Sequence, residues 1–186
     1  MFVKQRFLAV AACLAVNFAN TAAAQHVDVP SVQVQTQKII TAVKKYSEAI
    51  SCTDAVPRAQ DIAAMVPYTS FDNRLDAKFA VVWFGDIGCA GGSGTSGAAM
   101  AVVRVGAGDN FYVSPEESSP QIDDGLPRHV EKVVGATADS ITVDVRDYSE
   151  KDPNCCPTLR KRLTLRQSQN GSWTVISTQQ LPPAKY

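Results

Sequence analysis

The segment of residues 79–84 limits the possible folds of this chain more than any other. It reads Phe-Ala-Val-Val-Trp-Phe and is apolar at every position. A short apolar run rich in β-branched and aromatic residues predicts a strand that is covered on both faces. Gly85 and Gly88 end this central strand, and Cys89 follows them. Another element must therefore pack on the second face of this strand, and a helix is the usual one.

The first 24 residues have the three parts of an export signal. Lys4 and Arg6 form a charged start, and residues 7–16 form an apolar run. Three consecutive alanines end at Ala24 and fit the small-residue cleavage rule, so Gln25 is the predicted new N-terminus. We therefore predict a signal peptide over residues 1–24 and a periplasmic or secreted protein.

A lipoprotein signal is the alternative. Val10, Ala11, Ala12 and Cys13 resemble a bacterial lipobox, which would make Cys13 a lipidated N-terminus. The apolar run before Cys13 is short, so ordinary cleavage is favoured. No later stretch of the sequence reaches the ~18–20 apolar residues that a membrane-spanning helix needs.

Residues 25–186 are long enough for one domain with its own core. The signal carries two of the 18 basic residues, so this part has 16 basic against 18 acidic residues and a net charge of −2. A nucleic-acid binder would show a clustered basic excess. The sequence therefore predicts a single domain without a nucleic-acid partner.

Four cysteines follow the signal, namely Cys52, Cys89, Cys155 and Cys156. An even number of cysteines in an exported chain predicts two disulfides. Adjacent cysteines seldom bond each other because their side chains diverge. We therefore expect Cys155 and Cys156 each to bond one of the other two. The alternative pairs Cys52 with Cys89 and makes the vicinal pair Cys155–Cys156 a redox-switch candidate.

A helix precedes the central strand. Ser31 can cap it, and apolar residues recur along one face at Ile39, Val43, Tyr46 and Ile50. The later elements are, in order, a short helix at 59–66, strands at 98–105 and 111–113, a hairpin of 130–135 with 140–147, and a hairpin of 161–167 with 173–178.

These elements predict an α+β domain in which the N-terminal amphipathic helix packs on a curved antiparallel sheet of five to seven strands, stapled by disulfides. The order of elements is similar to that of cystatin-like folds. A β-barrel with a peripheral helix is the alternative.

A glycine-rich loop, residues 90–97, follows the central strand. It lacks the Gly-Lys-Ser/Thr ending of a phosphate-binding loop, and a strand rather than a helix follows it. Asp86 lies in apolar surroundings just before it and would need partners such as the loop N–H groups. The predicted binding-loop candidates are Gly91, Gly92, Ser93, Gly94 and Asp86.

No catalytic residue, cofactor or metal site is predicted. Ser93 lacks the second glycine of a nucleophile elbow, because Thr95 stands there. The loop of residues 114–128 is acidic but lacks the spacing of an EF-hand. The cysteines include no C-x-x-C, and His129 is one of only two histidines.

The segment Asp152-Pro-Asn-Cys-Cys-Pro157 precedes the last hairpin. It resembles the last third of small uncharacterised exported bacterial proteins and lipoproteins that carry Asp-x-x-Cys-Cys-Pro before a terminal hairpin. The resemblance covers residues 130–176 and implies export and disulfide use, without an activity. The chain departs from the lipoproteins in that the predicted cleavage removes Cys13.

The sequence therefore predicts a small exported bacterial binding module of the inhibitor, immunity-factor or envelope-accessory type. It would be non-enzymatic and bind a protein partner in the cell envelope through the loops 90–97 and 114–128. One alternative is a periplasmic hydrolase using Asp86 or Ser93 with His129. The other is a redox sensor at Cys155 and Cys156.

Overall fold

The computed structural model of the chain describes residues 28–52, 56–92, 95–119, 126–153 and 156–183. The predicted signal peptide therefore lies outside the described residues. Cys13 lies within that segment, and Gln25, Ser93, Gly94 and Cys155 lie outside the described residues as well.

The N-terminal helix is α1 (Val32–Ile50). The hydroxyl of Ser31 accepts a hydrogen bond from the Val34 N–H at 3.4 Å, which caps the first turn. Ile39 and Val43 are buried, and Tyr46 packs beside them. The predicted helix, its cap and its apolar face are confirmed.

Within the described residues, eight strands form two antiparallel sheets of four, each with its strands in chain order. The first sheet contains β1 (Ile62–Val66), β2 (Lys78–Gly85), β3 (Gly97–Val105) and β4 (Phe111–Ser114). The second sheet contains β5 (His129–Ala136), β6 (Ser140–Asp147), β7 (Leu159–Gln167) and β8 (Trp173–Gln180).

Strand β2 belongs to two cores. Phe79, Val81 and Trp83 point toward α1 and pack with its buried residues. Ala80 and Val82 point the other way and pack against residues of β6 and β7. The domain therefore has three layers: helix, first sheet and second sheet. The prediction that both faces of the central strand are covered is confirmed.

Two details of the predicted fold are wrong. Residues 59–66 are not a helix, because a 3-10 turn at Ala59–Asp61 leads into β1, which pairs with β2. Ala63 and Met65 are buried and Ala64 between them is exposed, which is the alternation of a strand. Pairing with β2 therefore outweighs the helix-like spacing of the apolar residues. The single sheet of five to seven strands is replaced by two sheets with eight strands.

Both predicted hairpins are present as β5–β6 and β7–β8. They form the second sheet, whereas β4 is the last strand of the first sheet. Among the described residues, no helix is both long enough and apolar enough to cross a membrane.

A buried polar cluster joins the two sheets at one end. The carboxylate of Glu117 accepts hydrogen bonds from Arg104 at 2.6 and 2.9 Å and from the Gln167 amide at 3.0 Å. The Gln167 amide oxygen accepts a hydrogen bond from the Lys78 ammonium at 2.9 Å. The indole N–H of Trp173 donates to the Glu117 carbonyl oxygen at 3.0 Å. These polar groups have hydrogen-bond partners, which offset the free-energy cost of burying them.

Candidate functional site

The end of α1 is fastened to the loop that follows β2. Ser51 forms an isolated antiparallel bridge with Ile87. The Gly88 N–H donates to the Ile50 carbonyl oxygen at 2.8 Å. Cys52 and Cys89 are joined by a disulfide, with their Cα atoms 5.0 Å apart. The loop is therefore held at its base by both hydrogen bonds and a covalent bond.

This disulfide shows that the predicted pairing of Cys155 and Cys156 with Cys52 and Cys89 is wrong. The helix packs on β2, so the residues just beyond the two elements meet at one end. Cys156 is also disulfide-bonded. Because Cys52 and Cys89 bond each other, the partner of Cys156 lies outside the described residues.

Asp86 orders the glycine loop from within. It is only 6% exposed, and its Oδ2 accepts a hydrogen bond from the Gly91 N–H at 3.1 Å. Gly91 and Gly92 have φ angles of 69° and 129°, which favour glycine. The hydrogen bond expected for a buried Asp86 is thus present. The Asp86 carboxylate therefore accepts the hydrogen bond from the Gly91 N–H, a donor that a bound anion would otherwise use.

Gly85 lies where β2 passes the end of α1. A Cβ atom added to Gly85 would contact the Trp83 ring and lie 2.6 Å from the Ser51 hydroxyl oxygen. We expect Gly85→Ala to lower the free energy of unfolding by about 1–3 kcal/mol, as overpacking does elsewhere. The matched control is Gly135→Ala in β5, where the added Cβ has no neighbour within 4 Å. Urea unfolding would measure both, and equal losses would contradict the steric argument.

The two loops highlighted by the sequence meet at Arg128. The Arg128 carbonyl oxygen accepts a hydrogen bond from the Ala98 N–H at 3.0 Å. The Arg128 guanidinium donates through Nε to the Ser96 carbonyl oxygen at 2.9 Å. The ends of loops 90–97 and 114–128 therefore lie side by side, where β3 and β5 begin.

An open cleft of about 370 Å³ lies beside this junction. The turn before β1, the end of β2 and the starts of β3 and β5 provide its walls. Its described lining includes Val56, Arg58, Asp61, Phe84, Arg128 and His129. Val56 is 63% exposed and Phe84 is 48% exposed, so two large apolar side chains face solvent at the cleft.

The polar lining of the cleft is mainly cationic. Arg58 is paired with Asp61, with two guanidinium–carboxylate contacts of 2.9 and 3.0 Å. Arg128 adds a second cation. The Nε2 atom of His129 is buried and has no hydrogen-bond partner within the part of the chain that the structure describes. Burial, together with the nearby charges of Arg128 and Arg146, lowers the pKa of His129. The imidazole is therefore neutral at neutral pH.

The lowered pKa of His129 has a testable effect on stability. A histidine whose pKa is lower when folded stabilises the fold above its unfolded pKa, and this contribution is lost as the pH falls below it. We expect the wild-type protein to lose more stability than His129→Gln between pH ~7.5 and ~5.5. Urea midpoints at both pH values measure this difference. The titration of carboxylates affects the two proteins equally and therefore cancels when they are compared. Equal pH dependence of the two proteins would contradict it.

The chain matches no protein-family model, no curated protein and no solved structure.

The cleft contains few of the residues predicted from the sequence. Asp86, Gly91 and Gly92 lie on the disulfide-held loop, and Ser93 and Gly94 fall outside the described residues. Phe84 and Val56 were not predicted as site residues. Phe84 continues the apolar pattern of β2, so only its exposure distinguishes it from its buried neighbours.

The described surroundings of His129 differ from those of a catalytic histidine. The charges that shift the pKa of His129 are those of Arg128 and Arg146, and both are cations. A histidine that acts as a general base is usually oriented by a carboxylate. Among the described residues, no group of three or more His, Cys, Asp and Glu side chains could hold a metal ion.

Proposed function

We propose that this protein is a small exported binding module that contacts a protein partner of the bacterial cell envelope through the cleft. The observation that carries the proposal is an open cleft lined by the exposed Phe84 and by Arg128, beside the point where the ends of loops 90–97 and 114–128 meet. Binding residues concentrate on loops that a rigid scaffold positions. Aromatic and arginine side chains are enriched in protein interfaces.

The ordered loop beside the cleft supports this role, because its Ser96 carbonyl oxygen accepts a hydrogen bond from the cleft residue Arg128. The Cys52–Cys89 disulfide and the Asp86 hydrogen bond order the loop before a partner arrives, which reduces the entropy lost on binding. Disulfides form and persist in oxidising compartments. The disulfide therefore agrees with the proposed export to the periplasm or beyond.

The hydrolase alternative has less support, because the charges that shift the His129 pKa are cations. A redox function at Cys155 and Cys156 is favoured by one observation. Cys156 is disulfide-bonded, and its partner is neither Cys52 nor Cys89, because these two bond each other. Non-reducing peptide mapping tests it, since a Cys155–Cys156 bond is required.

Site-specific photo-crosslinking tests the binding proposal. A photoreactive benzoylphenylalanine replaces Phe84 in one variant and Phe71 in the other, and each is expressed in the native bacterium. The two phenylalanines are matched, because both are 48% exposed. Phe71 does not line the cleft and instead packs under the Arg74 guanidinium, 4.5 Å from its ring centre.

We expect a discrete crosslinked protein from position 84 and none from position 71. Adding Phe84→Ser protein in excess should leave the crosslink unchanged, whereas wild-type protein should compete it away. Crosslinks of equal yield from both positions, or none from position 84, would overturn the proposed binding site.

A further inference from the structure

Strand β8 is the outer strand of the second sheet, and it is unusually exposed. Its first residue, Trp173, is buried, whereas the seven that follow, 174–180, are all exposed. The exposed residues include Val175 and Ile176, at 37% and 47%. Because successive side chains of a strand point to opposite faces, β8 is uncovered on both faces for most of its length.

The other sheet edges among the described strands are protected. Strand β4 has only four residues, and Phe111 at its start packs beneath α1 with the Lys38 ammonium 5.6 Å from its ring centre. Strands β1 and β5 lie against each other, and both contain register shifts. Strand β5 also carries Glu131 and Lys132. Bulges, short length and charges are the usual means of preventing edge pairing.

Strand β8 has little of this protection. It contains eight residues without a charged side chain or a proline, Trp-Thr-Val-Ile-Ser-Thr-Gln-Gln. Its pairing with β7 has one register shift, at Ile176, and is regular beyond it. A long uncharged edge strand is a template for pairing with another strand.

The hydrogen bonds to β7 show which backbone groups of β8 are available. The Leu181 N–H donates to the Arg160 carbonyl oxygen at 2.8 Å, so this pair is hydrogen-bonded. Hydrogen-bonded and non-hydrogen-bonded pairs alternate along an antiparallel ladder. Ser177 and Gln179 therefore point their backbone groups toward β7, whereas Thr178 and Gln180 point theirs to the free edge.

We propose that β8 pairs antiparallel with β8 of a second copy of this chain, which joins the two second sheets across a two-fold axis. In such a pairing the residue at the axis lies opposite its own symmetry mate, so a charge at the axis would face a like charge. The absence of charge along β8 removes this repulsion. The threonine, serine and glutamine side chains of the regular segment can hydrogen-bond across the axis.

This interface is separate from the proposed partner site, since the described lining of the cleft includes no residue of β8. A single strand pairing buries little surface, so the dimer should be weak and concentration-dependent. A two-fold axis closes the assembly, so pairing stops at two copies.

Charge reversal at Thr178 tests the pairing. Thr178 lies in the middle of the regular segment of β8, and its backbone groups face the free edge. We expect sedimentation equilibrium to show a monomer–dimer equilibrium for the wild-type mature protein. Thr178→Lys and Thr178→Glu should each weaken the dimer by about tenfold or more, because like charges meet at the axis. An equimolar mixture of the two variants should restore dimers, now as heterodimers.

Val134→Lys is the control, because Val134 is an exposed residue of β5, 44% accessible and away from β8. It should dimerise like the wild type, and urea midpoints should show that all variants are folded. A wild-type protein that is monomeric at every concentration would overturn the proposal. This holds even if β8 is then found to bind a different protein. Dimers that are insensitive to both Thr178 variants, or a mixture that stays monomeric, would also overturn it.

Discussion

Replacing Trp173 with alanine is expected to lower the free energy of unfolding by about 3–5 kcal/mol, as for other large buried side chains. Trp173 is 1% exposed and fills the core between the two sheets. It also donates a hydrogen bond to the Glu117 carbonyl oxygen, beside the buried polar cluster. Urea unfolding followed by circular dichroism measures the loss, which is a large fraction of a typical domain stability of ~5–15 kcal/mol.

The other tryptophan provides a matched comparison. Trp83 is also buried, at 3% exposure, but its indole nitrogen has no hydrogen-bond partner among the described residues. Trp173→Phe leaves the Glu117 carbonyl without its donor, whereas Trp83→Phe removes a donor that is already unsatisfied. We therefore expect Trp173→Phe to be more destabilising by about 1–3 kcal/mol. Similar losses in both variants would show that ring volume alone matters.

Removing the Cys52–Cys89 disulfide is expected to lower the free energy of unfolding by about 4 kcal/mol. The two cysteines are 37 residues apart, and closing a loop of this length restricts the unfolded chain by about this amount in the loop-entropy model. The double variant Cys52→Ser, Cys89→Ser leaves the disulfide of Cys156 in place. Urea unfolding under non-reducing conditions measures the difference from the wild type.

Hydrogen exchange of the same double variant tests where the effect lies. The amide of Gly91, held by Asp86, should exchange faster because the base of its loop is released. Amides of β7 should keep their protection apart from the global loss of stability. Unchanged protection at Gly91 would contradict the view that the disulfide orders the loop.

Local signals predicted much of the fold correctly. Ser31 and the spacing of Ile39 and Val43 identify α1, because capping and helical periodicity act within a few residues. The Asn170-Gly171 turn identifies the last hairpin in the same way, and Gly171 has the positive φ of 88° that such turns require.

The errors occur where distant contacts decide the outcome. Ile62, Met65 and Val66 fit a helical spacing, yet pairing with β2 makes the segment a strand. The disulfide pairing depends on which segment ends meet after α1 packs on β2, and no local signal records this. The number of sheets depends on whether β5 pairs with an earlier strand or starts a new sheet.

The candidate site was predictable only in part. Glycine content and length identified the loops 90–97 and 114–128, but Arg128 as their meeting point follows from hydrogen bonds across the domain. Phe84 is apolar like the buried residues beside it, so the sequence pattern does not distinguish it from them. Its exposure depends on where the second sheet stops covering β2, which is a property of the tertiary structure.

The double membership of β2 also has a consequence for cooperativity. The helix-side core and the inter-sheet core share β2 and β3 as a common wall, so neither core can open without exposing residues of the other. A one-residue slip of β2 would place Phe79, Val81 and Trp83 where Ala80 and Val82 fit. The two cores should therefore unfold together, and a calorimeter should record a single heat-absorption peak rather than two.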